Sequence, residues 1–207
     1  MKSGKVRELL LAMVRHKDSS AILIRLAYIL GNLTTNWEEV RLQLCKTKGK
    51  QSSFQILIDL AIYYFDKEEN PSKTGQVSSN KYEDFTKGNL EDALTKVVKL
   101  LANLSTEEGT AISEFSTEGN QSKLKEFLSK MLRAVDTRTV EQNEEFILNA
   151  ISCTTNILYY DTATSPLLDT ELRSQVFRSC AKFLLATQNE EIQIETVRVL
   201  SNLSRHS

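Results

Sequence analysis

The sequence predicts an all-α solenoid of stacked helical repeats, and three observations carry that prediction. Only 2 prolines and 7 glycines occur in 207 residues, which leaves room for long uninterrupted helices. One apolar helical pattern occurs four times, as LAYILGNLT at 26–34, VVKLLANLS at 97–105, AISCTTNIL at 150–158 and VRVLSNLSR at 197–205. The stretches between these copies recur as well, so the repeating unit contains several helices.

Each copy is anchored on an asparagine: Asn32, Asn103, Asn156 or Asn202. Five residues before it stand Ala27, Val98, Ile151 and Val197, and three before it Ile29, Leu100, Cys153 and Val199. Ten before it stand Ile22, Ala93, Phe146 and Ile192, and one after it Leu33, Leu104, Ile157 and Leu203. Apolar residues at these spacings define one buried face over at least three helical turns. The small residue preceding each asparagine, Gly31, Ala102, Thr155 or Ser201, lets a neighbouring helix approach closely. The asparagine and the residue four before it share a second, polar face, because positions i and i−4 are neighbours on a helix.

Taken in chain order, a helix around Val6–Val14 precedes the first long helix. After Asn32, Thr35 with Glu38 forms a capping pattern, and after Asn103 so does Ser105 with Glu108; each is expected to open a short helix. Glycines follow at similar distances, Gly49 and Gly119, and then amphipathic helices, FQILIDLAIYYF at 54–65 and LKEFLSKMLRAV at 124–135. The asparagines lie 71, 53 and 46 residues apart, so sequence must loop out if a unit takes about 40–47 residues. Residues 66–88, polar and carrying Pro71 and Gly75, are expected to form a mobile insertion, with a shorter surplus from Asp136 to Asn143. The fourth unit has Pro166 and no turn glycine near Leu172, which leaves its first helix in question. No polar capping repeat stands at either end, so the chain is expected to be part of a longer array and to be sticky alone.

A short helix, a glycine turn, a medium helix and a long helix closing on N-L-S/T resemble the armadillo repeat over nearly the whole chain. The resemblance implies a right-handed α-solenoid of about four three-helix repeats. It forms a single segment over 1–207, with repeats near 1–35, 36–105 (including the 66–88 insertion), 106–160 and 161–207. The related two-helix HEAT repeat lacks the separate short first helix and is the alternative. A more specific resemblance within the family, to a protein of motile cilia and sperm flagella, implies an intracellular, cytoplasmic place in assembling those organelles.

The resemblance also implies a function. Third helices of armadillo proteins line a concave groove, where their asparagines hold the backbone of an extended peptide; Asn32, Asn103, Asn156 and Asn202 are the matching positions here. A side-chain amide offers both donor and acceptor, which suits a peptide group whatever its side chain. Such amides serve equally to bridge or cap within a scaffold, and both readings stand at this point. Alanine at Asn103 or Asn156 would cost binding and spare stability in the first case, and cost stability in the second. Receptors for nuclear-import signals carry tryptophan four residues before the asparagine, where this chain has Tyr28, Lys99, Ser152 and Arg198, so that activity is disfavoured. With Arg25, Lys96 and Arg205 on the same stripe and only Glu195 opposing, the groove is expected to prefer an acidic or mixed peptide.

The rest of the chemistry is sparse. Lys plus Arg (26) nearly cancels Asp plus Glu (27), which argues against a nucleic-acid or membrane-surface protein, and no run reaches the roughly 18 apolar residues of a membrane span. A helical-repeat nucleic-acid binder has only the local basic stripe for support. Cys45, Cys153 and Cys180 form no paired spacing and read as buried thiols of a reducing compartment. His16 and His206 stand in no metal-ligand spacing, Asp59 reads as the solvent-facing position of its helix, and Trp37 reads as a packing anchor. The Tyr63–Phe65 and Tyr159–Tyr160 clusters read as packing more readily than as a ligand cage. No glycine-rich loop cradles a phosphate, and no cofactor or metal is expected. The expectation is a non-catalytic protein-binding scaffold, with a segment that docks by its flanks into a larger complex as the structural rival.

Overall fold

The computed structural model describes residues 4–46, 51–70, 86–115, 118–161, 167 and 169–205, with the backbone alone described at 110–113 and 118–119. The described residues are helical and contain no strand. They form two compact units, Met1–Leu104 and Ser105–Ser207. In each unit consecutive helices pack on one another and the long helix of one repeat lies against that of the next, so the fold is an all-α solenoid.

The first unit opens with α1 (Gly4–Arg15), α2 (Ser20–Asn36) and α3 (Glu38–Lys46), and continues with α4 (Ser53–Glu69) and α5 (Lys87–Leu104). α2 stacks along α5 and α4 covers α5, while α1 packs against α2, α3 and α4. Leu23, Ala27 and Leu30 of α2, Leu57, Ala61 and Tyr64 of α4, and Leu94, Val97 and Leu101 of α5 form the core, each at most 1% exposed. Burying a side chain of leucine size is worth about 1.5–3 kcal/mol, so the stack is held chiefly by these residues. α4 starts at a capping box, in which Gln55 N–H donates to the Ser52 hydroxyl and Ser52 N–H donates to the Gln55 side chain.

The second unit contains α6 (Glu108–Phe115), α7 (Glu118–Asp136) and α8 (Val140–Tyr160), then α9 (Thr170–Ala181), a single turn α10 (Phe183–Ala186) and α11 (Glu190–Ser204). α8 stacks along α11, α7 packs on α9, and α6 rests on α7 and α8. Phe127 and Met131 of α7, Phe146 and Ile147 of α8, and Ile192 and Val199 of α11 are at most 2% exposed. Asp169 and Asn189 accept from the backbone N–H of Leu172 and Ile192 and so cap α9 and α11.

Several local expectations are corrected. Thr35 does not open α3: it sits inside α2, where its hydroxyl donates to the Gly31 carbonyl at 2.9 Å. Ser105 does not cap α6, which begins three residues later; it is fully buried at the end of the preceding long helix. Trp37 is 59% exposed in the turn between α2 and α3 and is not a core anchor. Asp59 is half-buried and accepts from the Gln51 side chain, so it is not simply a solvent-facing residue. Residues 66–69 belong to α4 and 87–88 to α5, which narrows the insertion called at 66–88; its stretch 71–85 lies outside the described residues, as do Gly49, Pro166 and His206. Gly119 lies within the first turn of α7. The surplus from Asp136 to Asn143 is largely helix, with α8 starting at Val140 and kinked at Asn143 (φ −135°, ψ 34°).

Candidate protein-binding site

The anchoring asparagines are set by the last turns of the long helices, and their hydrogen bonds follow one rule. Asn103 Nδ2 on α5 donates to Thr34 Oγ1 at 2.8 Å, Thr35 Oγ1 at 3.1 Å and the Gly31 carbonyl at 3.4 Å, all on α2. Asn156 Nδ2 on α8 donates to Ser105 Oγ at 3.2 Å, and Asn202 Nδ2 on α11 donates to the Thr155 carbonyl at 3.0 Å on α8. The amides of Asn103 and Asn202 therefore reach back to the long helix before them in their own unit, and that of Asn156 to Ser105. The hydroxyl two residues after one asparagine receives the next asparagine, as Thr34 and Ser105 do. Where Leu158 takes that place, Asn202 turns to the carbonyl of the residue before Asn156. The N-L-S/T ending thus has a structural reason, because a half-buried amide supplies the donor that a buried hydroxyl needs. Asn32 has no preceding long helix to reach among the described residues and is exposed.

The other expected site residues divide between the units. In the first, Tyr28 is 56% exposed on α2, whereas Lys96 and Lys99 of α5 are half-buried. The Lys99 stem passes over Gly31, with Cδ 3.8 Å from where a β-carbon would stand, so the small residue there admits the lysine stem more than it admits a helix. In the second unit Asn156, Arg198 and Asn202 converge on one cleft of about 510 Å³, walled by Tyr159, Tyr160 and Val197. Arg198 is 60% exposed and pairs with Glu195 at 2.6 Å. Arg205 is committed to the scaffold, donating to the Leu158 and Tyr159 carbonyls at 3.3 and 3.0 Å with its guanidinium over the Tyr159 ring. Two of the cations expected to make the groove basic are thereby partly offset by their own unit.

The two tyrosines are the functional candidates that residue patterns alone did not select. Tyr159 is 58% exposed, and its ring meets Tyr160 edge to face at 5.0 Å. The Tyr160 hydroxyl donates to the Thr106 carbonyl at 2.9 Å, which fixes the ring. Partial burial, then the charge of Glu108, Tyr159 and Glu107, raise the Tyr160 phenol above its ordinary value, so it remains a donor. Their signal in the sequence is position: both stand in the last turn of a long helix, beside the asparagine.

Elsewhere the chemistry is structural. Burial pushes the Cys153 and Cys180 thiols up to about 12, opposed at Cys153 by a Ser105 hydrogen bond, while Cys45 is only half-buried. A thiolate is the reactive form, so alkylation of the native chain at mildly alkaline pH is expected to label Cys45 first and spare the other two. Peptide mass spectrometry reads this directly; equal labelling of all three before unfolding would mean that α8 and α9 are not packed as described. Tyr63 and Tyr64 act as packing residues, with the Tyr64 hydroxyl donating to the Lys17 carbonyl at 2.8 Å. No group of His, Cys, Asp and Glu among the described residues is placed to hold a metal ion, and no helix there is long and apolar enough to cross a membrane.

The chain is similar to armadillo repeat-containing protein 2 of Homo sapiens, with 26% identity over 192 residues, and to that of Bos taurus, with 25% over 193 residues. The armadillo repeat-containing protein 2 of Mus musculus is 25% identical over 193 residues. Each alignment covers 92% of this chain, which spans about a fifth of the relatives' length (20–21%). No family model matches the chain. No solved structure matches it significantly.

Proposed function

We propose that the chain is a non-catalytic protein-binding scaffold that holds an extended, acidic or mixed partner segment against the last turns of its long helices. The observation that carries this reading is the cleft in the second unit, where Asn156, Arg198 and Asn202 meet two tyrosine rings. Tyrosine gives large contact area at low entropic cost, and a guanidinium retains donors beyond those used by one carboxylate. The bridging asparagines form the fixed floor, and Tyr159 and Arg198 supply most of the contact energy. In the first unit the exposed Tyr28 and Asn32 offer a lesser surface of the same kind, with the Lys99 stem passing over the adjoining Gly31. A place in the assembly of cilia or flagella, and a cytoplasmic location, are read with this function and rest on the family resemblance alone.

Peptides selected against the immobilised chain from a random display library test the reading. The selected sequences are expected to be rich in Asp and Glu, and the Tyr159→Ser, Arg198→Ser double variant is expected to lose about 2 kcal/mol of affinity, with the effect shrinking as salt rises. Both residues are exposed, so the variant's melting curve should match that of the parent. Selected peptides that bind the variant equally well would favour the structural rival, in which the chain docks by its flanks.

A further inference from the structure

The hydrogen bonds of the second unit give its cleft a fixed order. α8 stands between the segment Ser105–Thr106, to which Asn156 and Tyr160 donate, and α11, whose Asn202 and Arg205 donate to the carbonyls of Thr155, Leu158 and Tyr159. One wall of the cleft is therefore Thr106 with Tyr160, the middle is Tyr159, and the other wall is α11 with Arg198.

The two walls differ in charge. On the first, Glu107 and Glu108 directly follow Thr106, and Glu108 is exposed with no cation paired to it among the described residues. Partial burial, then the charge of Glu108, Tyr159 and Glu107, raises the Tyr160 phenol, so the negative potential of this wall reaches the ring. The Tyr159 and Tyr160 rings stand at 86° to each other with centroids 5.0 Å apart, and so form an open corner. Aromatic faces attract a cation, and carboxylates beside them strengthen the attraction. Arg205 lies over the Tyr159 ring at 5.4 Å but does not line the cleft, so the face that it covers is the outer one. On the second wall Arg198 spends one nitrogen on Glu195 and keeps its other donors for a second carboxylate.

We propose that this cleft reads a segment of mixed charge: a lysine or arginine side chain of the partner seats in the corner of Tyr159 and Tyr160 beside Glu108, and an acidic side chain of the same segment meets Arg198. The inference rests on the cleft being the partner site, and it narrows the partner from acidic or mixed to mixed. Charge complementarity selects this occupant, because a purely acidic segment sets like charge against Glu107 and Glu108 and a purely basic one sets it against Arg198. Packed helices lie about 8–10 Å apart and an extended chain advances about 3.3 Å per residue, so the two charged residues stand about two to four positions apart in the partner.

The probes are peptides selected on the parent chain from a random display library, each made with its own basic residue and again with norleucine in its place. The selected set is expected to share a Lys or Arg about two to four positions from an Asp or Glu. Norleucine keeps an aliphatic stem and drops the charge, and is expected to weaken binding about fivefold. Glu108→Gln should weaken the basic peptide by a similar factor and leave the norleucine peptide unchanged, with both effects shrinking as salt rises. Glu108 is exposed, so the variant should melt with the parent. Selected peptides that depend on Tyr159 and Arg198 yet carry no basic residue, or that bind Glu108→Gln as they bind the parent, overturn this inference and leave the cleft as the partner site. Peptides that bind the Tyr159→Ser, Arg198→Ser variant as well as the parent, or a library that yields none, remove the site itself and the inference with it.

Discussion

Val199→Asp is expected to destabilise the second unit by about 4 kcal/mol, whereas Val197→Asp in the same helix should change its stability by less than about 0.5 kcal/mol. Val199 is fully buried in the stack of α8 on α11 and Val197 is 55% exposed. Two residues along a helix are separated by roughly 200° of rotation, so the neighbours in sequence stand on opposite faces. A carboxylate at 199 is cut off from water, and either keeps its charge at the cost of desolvation or takes a proton, and both cost stability. A carboxylate at 197 remains hydrated. Urea denaturation followed by circular dichroism reads the pair directly. Equal losses at both sites would mean that α11 is covered on both faces.

The same pair of valines marks the limit of what the sequence could tell. Its periodicity located the buried face of α5 and α8 well: Ala93, Val98, Leu100, Phe146, Ile151 and Cys153 are all buried as that pattern requires. It placed Ile22, Ile29 and Val197 on the same face, and these are exposed. A repeat pattern records which residue types a position carries, but not whether a neighbouring helix covers that position. The caps failed for a related reason. A hydroxyl followed three residues later by glutamate reads as a capping box at Thr35 and Ser105, yet the same hydroxyls serve the ends of the preceding helices, bonding back to Gly31 or receiving Asn156. The cleft was legible in part, since Asn156, Arg198 and Asn202 were visible as residue types at the right spacing. Its tyrosine walls were not, because an aromatic pair at a helix end looks the same whether it faces the core or solvent.

Asn103→Ala is the prediction that separates the two roles an asparagine ladder can play. Its amide nitrogen has three acceptors on α2, and one of them, the Thr34 hydroxyl, is fully buried and already donates to the Leu30 and Gly31 carbonyls at 2.9 and 3.0 Å. Alanine leaves the buried lone pair of that hydroxyl without its donor, and no water reaches it unless the helices part. The loss is expected to lie at about 1–3 kcal/mol, above the roughly 1 kcal/mol of an ordinary exchange with solvent. Asn32→Ala should cost almost nothing to the stability of the isolated molecule, because the Asn32 side chain is exposed. A Thr34→Val, Asn103→Ala double-mutant cycle isolates the bridge, and a coupling of about 0.5–3 kcal/mol is expected for groups in direct contact. If Asn103→Ala instead melts with the parent and loses affinity for selected peptides, the amide belongs to the ligand and the bridge between α2 and α5 contributes nothing measurable. If stability falls while affinity per folded molecule is unchanged, the asparagines hold the stack together and recognition rests with the side chains around them, Tyr159 and Arg198 first.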